Sequence, residues 1–355
     1  MELIINDRIR NRKIAFFNDF TLALKFDSVG SAFSFSFYFN PDNPEHKEVM
    51  CIGHYHLCTV THNGETLLTG FILSQDFTSS PVRQMVSISG YSLPGVLEDC
   101  EIPTKIYPLQ SDGLSLRQIA QKLIQPFNLK LKVDSTVSSL VDASFKTSTA
   151  SESQNIKSYI SELASQKNVV ISHDEYGNLL FTKAKTNQKP VLDFNIAKGG
   201  IPGTTMKLSY NGQQMHSHIT VQKQADADGG NAGEYTIRNP FVIGTVYRPK
   251  TISQSSGDDN DTEKAAKTAL ASELKNIKLT ITTDRWVVDN KILKPNNIIT
   301  VTNPEIYLFK KSNWFIESID YKGDQNINTA VLNCVLPCVY DGSTPDYLWK
   351  GINLH

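Results

Sequence analysis

The sequence predicts an α+β chain that is mainly β, with a small α+β region between two longer strand-rich regions. Three observations lead there. Apolar and polar residues alternate through most of the first hundred positions. After Cys100 two stretches show apolar residues spaced by three and four. From about residue 190 the alternation returns and runs to Pro337.

The period-two signal is clearest in SAFSFSFYFN, where Phe33, Phe35, Phe37 and Phe39 fall on one face of an extended chain. Ser34, Ser36 and Tyr38 fall on the other, the pattern of a strand with one buried side. Two prolines in PDNPEH then break the chain. EVMCIGHYHLCTVTH and TLLTGFILSQDF follow as β-rich runs on either side of Asn63-Gly64, a strong hairpin signal. RQMVSISGYS adds another strand. Several short strands in succession predict an antiparallel barrel or sandwich.

In LSLRQIAQKLI, residues Leu116, Ile119, Ala120, Leu123 and Ile124 form one apolar stripe, with Ser111, Asp112 or Ser115 placed to cap the helix. Pro126 stops it, and NLKLKVD alternates as a strand. A second helix runs through ASESQNIKSYISELASQKN, with Ile156, Tyr159, Ile160 and Leu163 on one side. VVISHDEYGNLLFTKA is then a hairpin closed near Tyr176-Gly177-Asn178.

Past residue 190, MKLSYNGQQMHSHITVQK reads as two strands around Asn211-Gly212. QADADGGNAGE and SQSSGDDNDT are polar loops, and Gly199-Gly200 and Gly229-Gly230 also read as loop glycines. The helix TEKAAKTALASELKNI follows, opened by Asp261 or Thr262, with Ala266, Leu270 and Leu274 on one side. KLTITTD, RWVVD, NIITVTN, WFIESIDYK and TAVLNCVLP complete the strands. The expected division is 1–98 β, 99–189 α+β, 190–337 β with a helical excursion at 223–277, and a tail at 338–355.

Composition narrows the function. The 355 residues suffice for two or three domains. A formal net charge of −1 gives no global attraction to nucleic acid or an anionic membrane. No run approaches the ~20 apolar residues that span a bilayer, and MELIINDRIRNRK lacks a signal-peptide core, so a cytoplasmic start is expected. Cys51, Cys58, Cys100, Cys334 and Cys338 are odd in number and scattered, as free and mostly buried thiols are.

The chemistry-bearing candidates are few. Cys51, His54, His56, Cys58 and His62 all carry metal-ligating atoms. On a regular strand Cys51 faces away from His54, His56 and Cys58, which leaves His54 and His56 as the metal candidates. His216 and His218 form a second such pair. Because these ligands divide between faces, no metal site and no cofactor is expected. There is no phosphate loop, no GxSxG and no HExxH. Glu98 and Asp99 precede Cys100 and would raise its pKa, which argues against a nucleophile; as neighbours on a strand they would face opposite ways, unlike a glycosidase pair. Trp286, Trp314 and Trp349 read as packing residues before sugar platforms.

Three stretches carry a resemblance. GYSLPGVLEDCEIP, at 90–103, resembles a Gly-x-Ser…Leu-x-Asp-Cys segment. SLRQIAQKLIQPFNLKLKVD and SYISELASQKNVVISHDEYGNLLFTKA give the order helix, Pro-Phe, strand, helix, hairpin. The third runs from Asp284 to Pro337, with Trp286 opening a hairpin, Pro295-Asn296 at a turn and a strand from Trp314 to Tyr321. Together and in this order they resemble the baseplate hub family of contractile tails, the Mu-type hub and late-control-protein-D group. Leu93-Pro94-Gly95-Val96 departs from it where relatives are more basic.

The resemblance implies two similar tube-type β-barrels flanking the α+β region. It implies a non-enzymatic homotrimer in the virion tail baseplate, assembled in the host cytoplasm. That trimer joins a hexameric tail tube to a trimeric spike and meets other baseplate proteins, with no membrane insertion and no sequence-specific nucleic acid. Longer relatives append a further domain and a needle; the 18 residues after Pro337 imply a separate spike protein. A tail-tip cell-wall hydrolase and a glycan-binding adhesin are the alternatives from other classes, to be separated by peptidoglycan turnover and glycan binding.

Overall fold

A computed structural model describes residues 1–6, 11–14, 17–81, 83–106, 110–151, 154–196, 203–223, 233–254, 261–288, 290–324 and 326–350. The chain forms two compact units. The first holds Met1–Lys183 with Ser318–Ala330, and the second holds Ala184–Glu317 with Val331–His355.

The first unit opens with β1 (Glu2–Asn6), β2 (Asn11–Ile14), β3 (Asp19–Lys25), β4 (Ala32–Tyr38), α1 (Pro44–Val49), β5 (Leu57–His62), β6 (Glu65–Ser79) and β7 (Gln84–Ser92). The strands lie in the order β3-β4-β7-β6-β5-β1-β2. Every neighbouring pair in that order is antiparallel. Residues Ser318–Asp324 extend the sheet by pairing antiparallel with β3. The alternation expected for β4 holds, since Phe33, Phe35 and Phe37 are buried. Phe35 stands opposite Phe20 on β3 and Ile88 on β7, and the Phe20 and Phe35 rings stack at 6.0 Å. At the far end, Ser31 and Ser92 satisfy each other inside the core: Ser31 N donates to Ser92 Oγ at 3.0 Å, and Ser92 N to Ser31 O at 2.9 Å.

Asn63 and Gly64 both take positive φ, 49° and 80°, as a two-residue hairpin turn requires, and they join β5 to β6. PDNPEH does more than break the chain. Asn43 caps α1 through a bond from Glu45 N at 2.8 Å, and Pro44 occupies the first turn, where its missing N–H costs nothing. The strand expected from Glu48 onward therefore begins only at Leu57.

The rest of the first unit is α2 (Val96–Asp99), α3 (Leu116–Ile124), β8 (Leu131–Val133), α4 (Ser138–Asp142), α5 (Ile156–Gln166), β9 (Val170–His173) and β10 (Leu179–Thr182). Ser115 is the cap of α3, in a reciprocal box with Gln118. All five stripe residues of α3 and all four of α5 are buried in one apolar cluster with Leu179 and Phe181. The small sheet runs β8-β10-β9, β8 parallel to β10. Its hairpin turns on Asp174, whose carboxylate accepts from Tyr176 N, Asn178 N and Lys132 Nζ. Gly177 has φ of 81°, and a Cβ there would stand 2.6 Å from Leu93, so both backbone and space require glycine.

The second unit contains β11 (Leu192–Asn195), β12 (Thr205–Tyr210), β13 (His218–Lys223), β14 (Glu234–Arg238), β15 (Pro249–Gln254), α6 (Thr262–Leu274), β16 (Ile277–Thr283), β17 (Val287–Val288), β18 (Lys291–Ile292), β19 (Ile298–Asn303), β20 (Leu308–Asp324) as far as Glu317, β21 (Asn328–Val335) from Val331, and α7 (Cys338–Asp341). Its main sheet runs β12-β16-β21-β20-β19-β11. Counted from β3 in one unit and β12 in the other, the central strands follow the same sequence order: first, second, fifth, fourth, third. The fourth strand is the longest in both, 15 residues in β6 and 17 in β20, of which Ser318–Asp324 belong to the first unit. The outermost strands differ, because β1 meets β5 antiparallel and β11 meets β19 parallel.

Two expectations for this unit change, and a third holds as a turn without a hairpin across it. Asn211-Gly212 makes no hairpin: β12 pairs with β16, β13 pairs with β14 and β15, and residues 212–214 form a single 3-10 turn. Asn296, at φ 65°, makes the expected turn, but β18 before it pairs with β17 and β19 after it with β20. The excursion is not purely helical, because β14 and β15 join β13 in a separate three-stranded sheet. Asp261 caps α6, and Ala266, Leu270 and Leu274 are buried as expected. Gly199-Gly200 and Gly229-Gly230 lie outside the described residues.

The Phe35 row sets the sheet of the first unit. Phe35→Ala is expected to cost about 3–5 kcal/mol in denaturant unfolding. Tyr38→Ala, on the open face at 54% exposure, is expected to stay within about 0.5 kcal/mol.

Candidate functional site

Residues 51–56 form a loop rather than a strand, with Gly53 at φ 81° and Tyr55 at φ 47°. The argument that Cys51 and the histidines lie on opposite strand faces therefore does not apply. The turn brings Cys51 Sγ to 3.4 Å from His54 Nε2, and the His54 and His56 rings to 5.4 Å in an edge-to-face pair. His56 is buried, and the Cys58 side chain is buried in β5. Among the described residues no three His, Cys, Asp or Glu side chains gather as metal ligands would. At the tip of the loop Ile52 and Tyr55 stand out at 73% and 61% exposure.

The second histidine pair is divided because His216 lies in the turn before β13, which begins only at His218. His216 Nδ1 lies 2.7 Å from Glu273 Oε1, and His216 N donates to Glu273 Oε2 at 2.8 Å. Lys250 Nζ reaches the same carboxylate at 3.2 Å. Glu273 is a buried carboxylate on α6, so this cluster ties the helix to the chain before β13 and to β15. His218 turns instead toward Ser217 Oγ and the Tyr247 ring.

Glu98 and Asp99 lie on the short helix α2, not on a strand. Asp99 accepts from Tyr91 Oη at 2.5 Å, and Glu98 pairs with Lys157 at 3.2 Å. The Tyr91 hydroxyl is pushed up by burial and then by Asp99. Burial raises the Cys100 thiol, and Asp99 adds to the effect, the reverse of what a nucleophile needs.

Trp314 is fully buried and Trp286 nearly so. Trp349 is different. It sits among Tyr210, Phe241, Tyr307 and Tyr347, with ring centroids 5.3 to 6.3 Å away. Its Nε1 donates to Tyr307 O at 2.8 Å. Beside this cluster is an open groove of about 800 Å³, lined by one face of β12, the turn after β19 and the loop after β14. Ile243 and Val246 on that loop are 59% and 61% exposed. Reading the sequence singled out Trp349 but not this surface, because its residues are scattered from 206 to 349 and share no spacing. The Ile52–Tyr55 tip had a weak signal, apolar residues astride a glycine.

Residues 94–183 match the family described as baseplate hub protein gp44-like, second domain, which bears out the resemblance seen in the sequence. No curated protein matches the chain. The structure resembles the 43 kDa tail protein of prophage MuSo2 from Shewanella oneidensis, with a TM-score of 0.77 and 19% identity over 96% of this chain and 99% of that one. It resembles the tail protein from Neisseria meningitidis MC58 at a TM-score of 0.76 and 18% identity, over 97% and 98%. It also resembles the E. coli c3393 protein, a component of the type VI secretion system similar to the T4 tail proteins gp27 and gp5. There the TM-score is 0.56 and identity 10%, over 95% and 77%. At these identities the likeness establishes the fold.

Two measurements test the chemistry of these clusters. Elemental analysis of the purified protein is expected to find no stoichiometric zinc or iron, and His54→Ala or His56→Ala to change no metal content. Alkylation near pH 8 should modify Cys51 and Cys100 first. Cys58 and Cys334 should resist until unfolding, because burial raises both thiols far above that pH; Cys338, pushed up to about 12, should lag as well.

Proposed function

We propose that this chain is a structural baseplate hub of a contractile phage tail or a related injection machine. In this reading three chains form a ring that adapts a sixfold tail tube to a threefold spike. The observation that carries it is the strand order shared by two runs of five strands in the 13-stranded sheet. A threefold ring presents a near-sixfold face only if each chain supplies two equivalent strand-rich surfaces. The order first, second, fifth, fourth, third, with the fourth strand longest in both, is what two such surfaces of one fold would have.

The family match at 94–183 and the tail-protein fold over nearly the whole chain support the same reading. We assign 1–98 and 190–337 to two tube-type barrels, 99–189 to an α+β brace outside the ring, and 338–355 to a tail. The partners are two further copies of the chain, a hexameric tube protein above, a trimeric spike below and other baseplate proteins. The setting is the virion tail baseplate, after assembly in the host cytoplasm. The work is recognition and mechanical continuity, with no bond made or broken. A net charge of −1 suits it, because a strongly charged ring would repel itself.

Light scattering of the purified chain is expected to give three times the monomer mass, and electron microscopy a ring. The interfaces should exceed ~2,000 Å² in total. A chain that stays monomeric at tens of micromolar would count against the hub reading.

A further inference from the structure

In the second unit β12 ends the strand order, and among the described residues it pairs with β16 alone. Met206, Leu208 and Tyr210 alternate along it, opposite Ile281, Leu279 and Ile277 of β16, and those three are buried. The same three residues of β12 line the aromatic groove. The groove thus opens onto the core-facing row of an edge strand, where an uncovered chain invites pairing with another.

We propose that Tyr347–Lys350 is a hinged latch that closes this groove and releases from it without unfolding the unit. The occupant is the one the structure shows. Trp349 touches each wall: its ring lies 6.2 Å from Tyr210 on β12, 5.8 Å from Phe241 after β14 and 6.3 Å from Tyr307 after β19. Tyr347 meets Phe241 at 5.8 Å. Two hydrogen bonds hold the end, Trp349 Nε1 donating to Tyr307 O at 2.8 Å and Lys310 Nζ to Lys350 O at 2.9 Å. The latch belongs to the second unit alone and holds whichever assembly the chain joins.

The root of the segment is fixed more firmly than its end. In α7, Cys338 and Val339 are buried, Tyr340 Oη donates to Glu317 Oε1 at 2.6 Å, and the Tyr340 ring lies 4.8 Å from Phe315. Gly342 ends α7 at φ 69°, with open space where a Cβ would stand, which suits a hinge. Beyond it Ser343, Thr344 and Asp346 are exposed, and Tyr347, Leu348 and Trp349 are only half-buried. A segment held by a few ring contacts and two hydrogen bonds at the end of an exposed link opens at far lower cost than the core. Trp314 is the contrast within the same unit: it is fully buried, and its Nε1 donates to Ser312 Oγ at 3.0 Å.

Two measurements on the full chain test the latch. In the unmodified chain the indole N–H of Trp349 is expected to exchange with solvent about 100-fold or more faster than that of Trp314, because only the first opens locally. Equal protection would make the segment part of the core and overturn the latch. The second measurement removes the occupant with Tyr347→Ala and Trp349→Ala together and supplies it in trans as a fluorescent peptide of residues 343–350. Anisotropy titration is expected to show the peptide binding this variant at least about tenfold more tightly than the unmodified chain, whose groove is already filled. Adding Tyr210→Ala to the variant should abolish that gain. A peptide that binds the two chains alike, or binds neither, overturns the latch. So does a doubly substituted chain that no longer unfolds cooperatively, since the segment would then be integral to the unit.

Discussion

The two-residue repeat of the pleat governs both units. Side chains on a strand point alternately to opposite faces, so a row of apolar residues decides which face turns inward and in what register the neighbours pair. In β4 that row is Phe33, Phe35 and Phe37, and it meets Phe20 and Leu22 on one side and Val86 and Ile88 on the other. In the second unit β16 alternates in the same way, with Ile277, Leu279 and Ile281 buried, whereas Ile298–Val301 of β19 and Trp314–Ile316 of β20 are buried on both faces. A slip of one residue would send the rows of β4 and β16 to the opposite face.

Where alternation cannot reach, buried polar groups secure the chain. Ser31 and Ser92 close the base of the first sheet through reciprocal bonds. Within the same unit the β9–β10 hairpin is held by polar contacts, with His173 Nδ1 2.9 Å from Ser28 O and Thr69 Oγ1 donating to Glu175 O at 2.9 Å. Glu273 has the corresponding place in the second unit, gathering His216 and Lys250 onto α6. A buried carboxylate is tolerated there because it is paired and hydrogen-bonded on both oxygens. The histidine and carboxylate clusters that first suggest chemistry are thus largely occupied in holding elements together. Ile52 and Tyr55 in the loop before β5, and Ile243 and Val246 beside the groove near Trp349, are by contrast exposed apolar side chains.

Features that depend on local period and local caps can be read from the chain residue by residue. The apolar stripes of α3 and α5, the Asn63-Gly64 turn, the Asp261 cap and the phenylalanine row of β4 were all legible, because each is written within a few residues of itself. The resemblance over the middle region was legible for the same reason. Tertiary structure decided the rest. PDNPEH carries both a break and a helix cap, and only the chain's path shows that a helix follows. Asn211-Gly212 has hairpin residues, yet β12 finds β16 about seventy positions later, a choice made by burial and not by the turn. Cys51 meets His54 because the loop turns through left-handed conformations that strand parity cannot foresee. The shared strand order and the aromatic groove join residues far apart in sequence. Such juxtapositions depend on long-range pairing, which leaves no spacing in the chain to read.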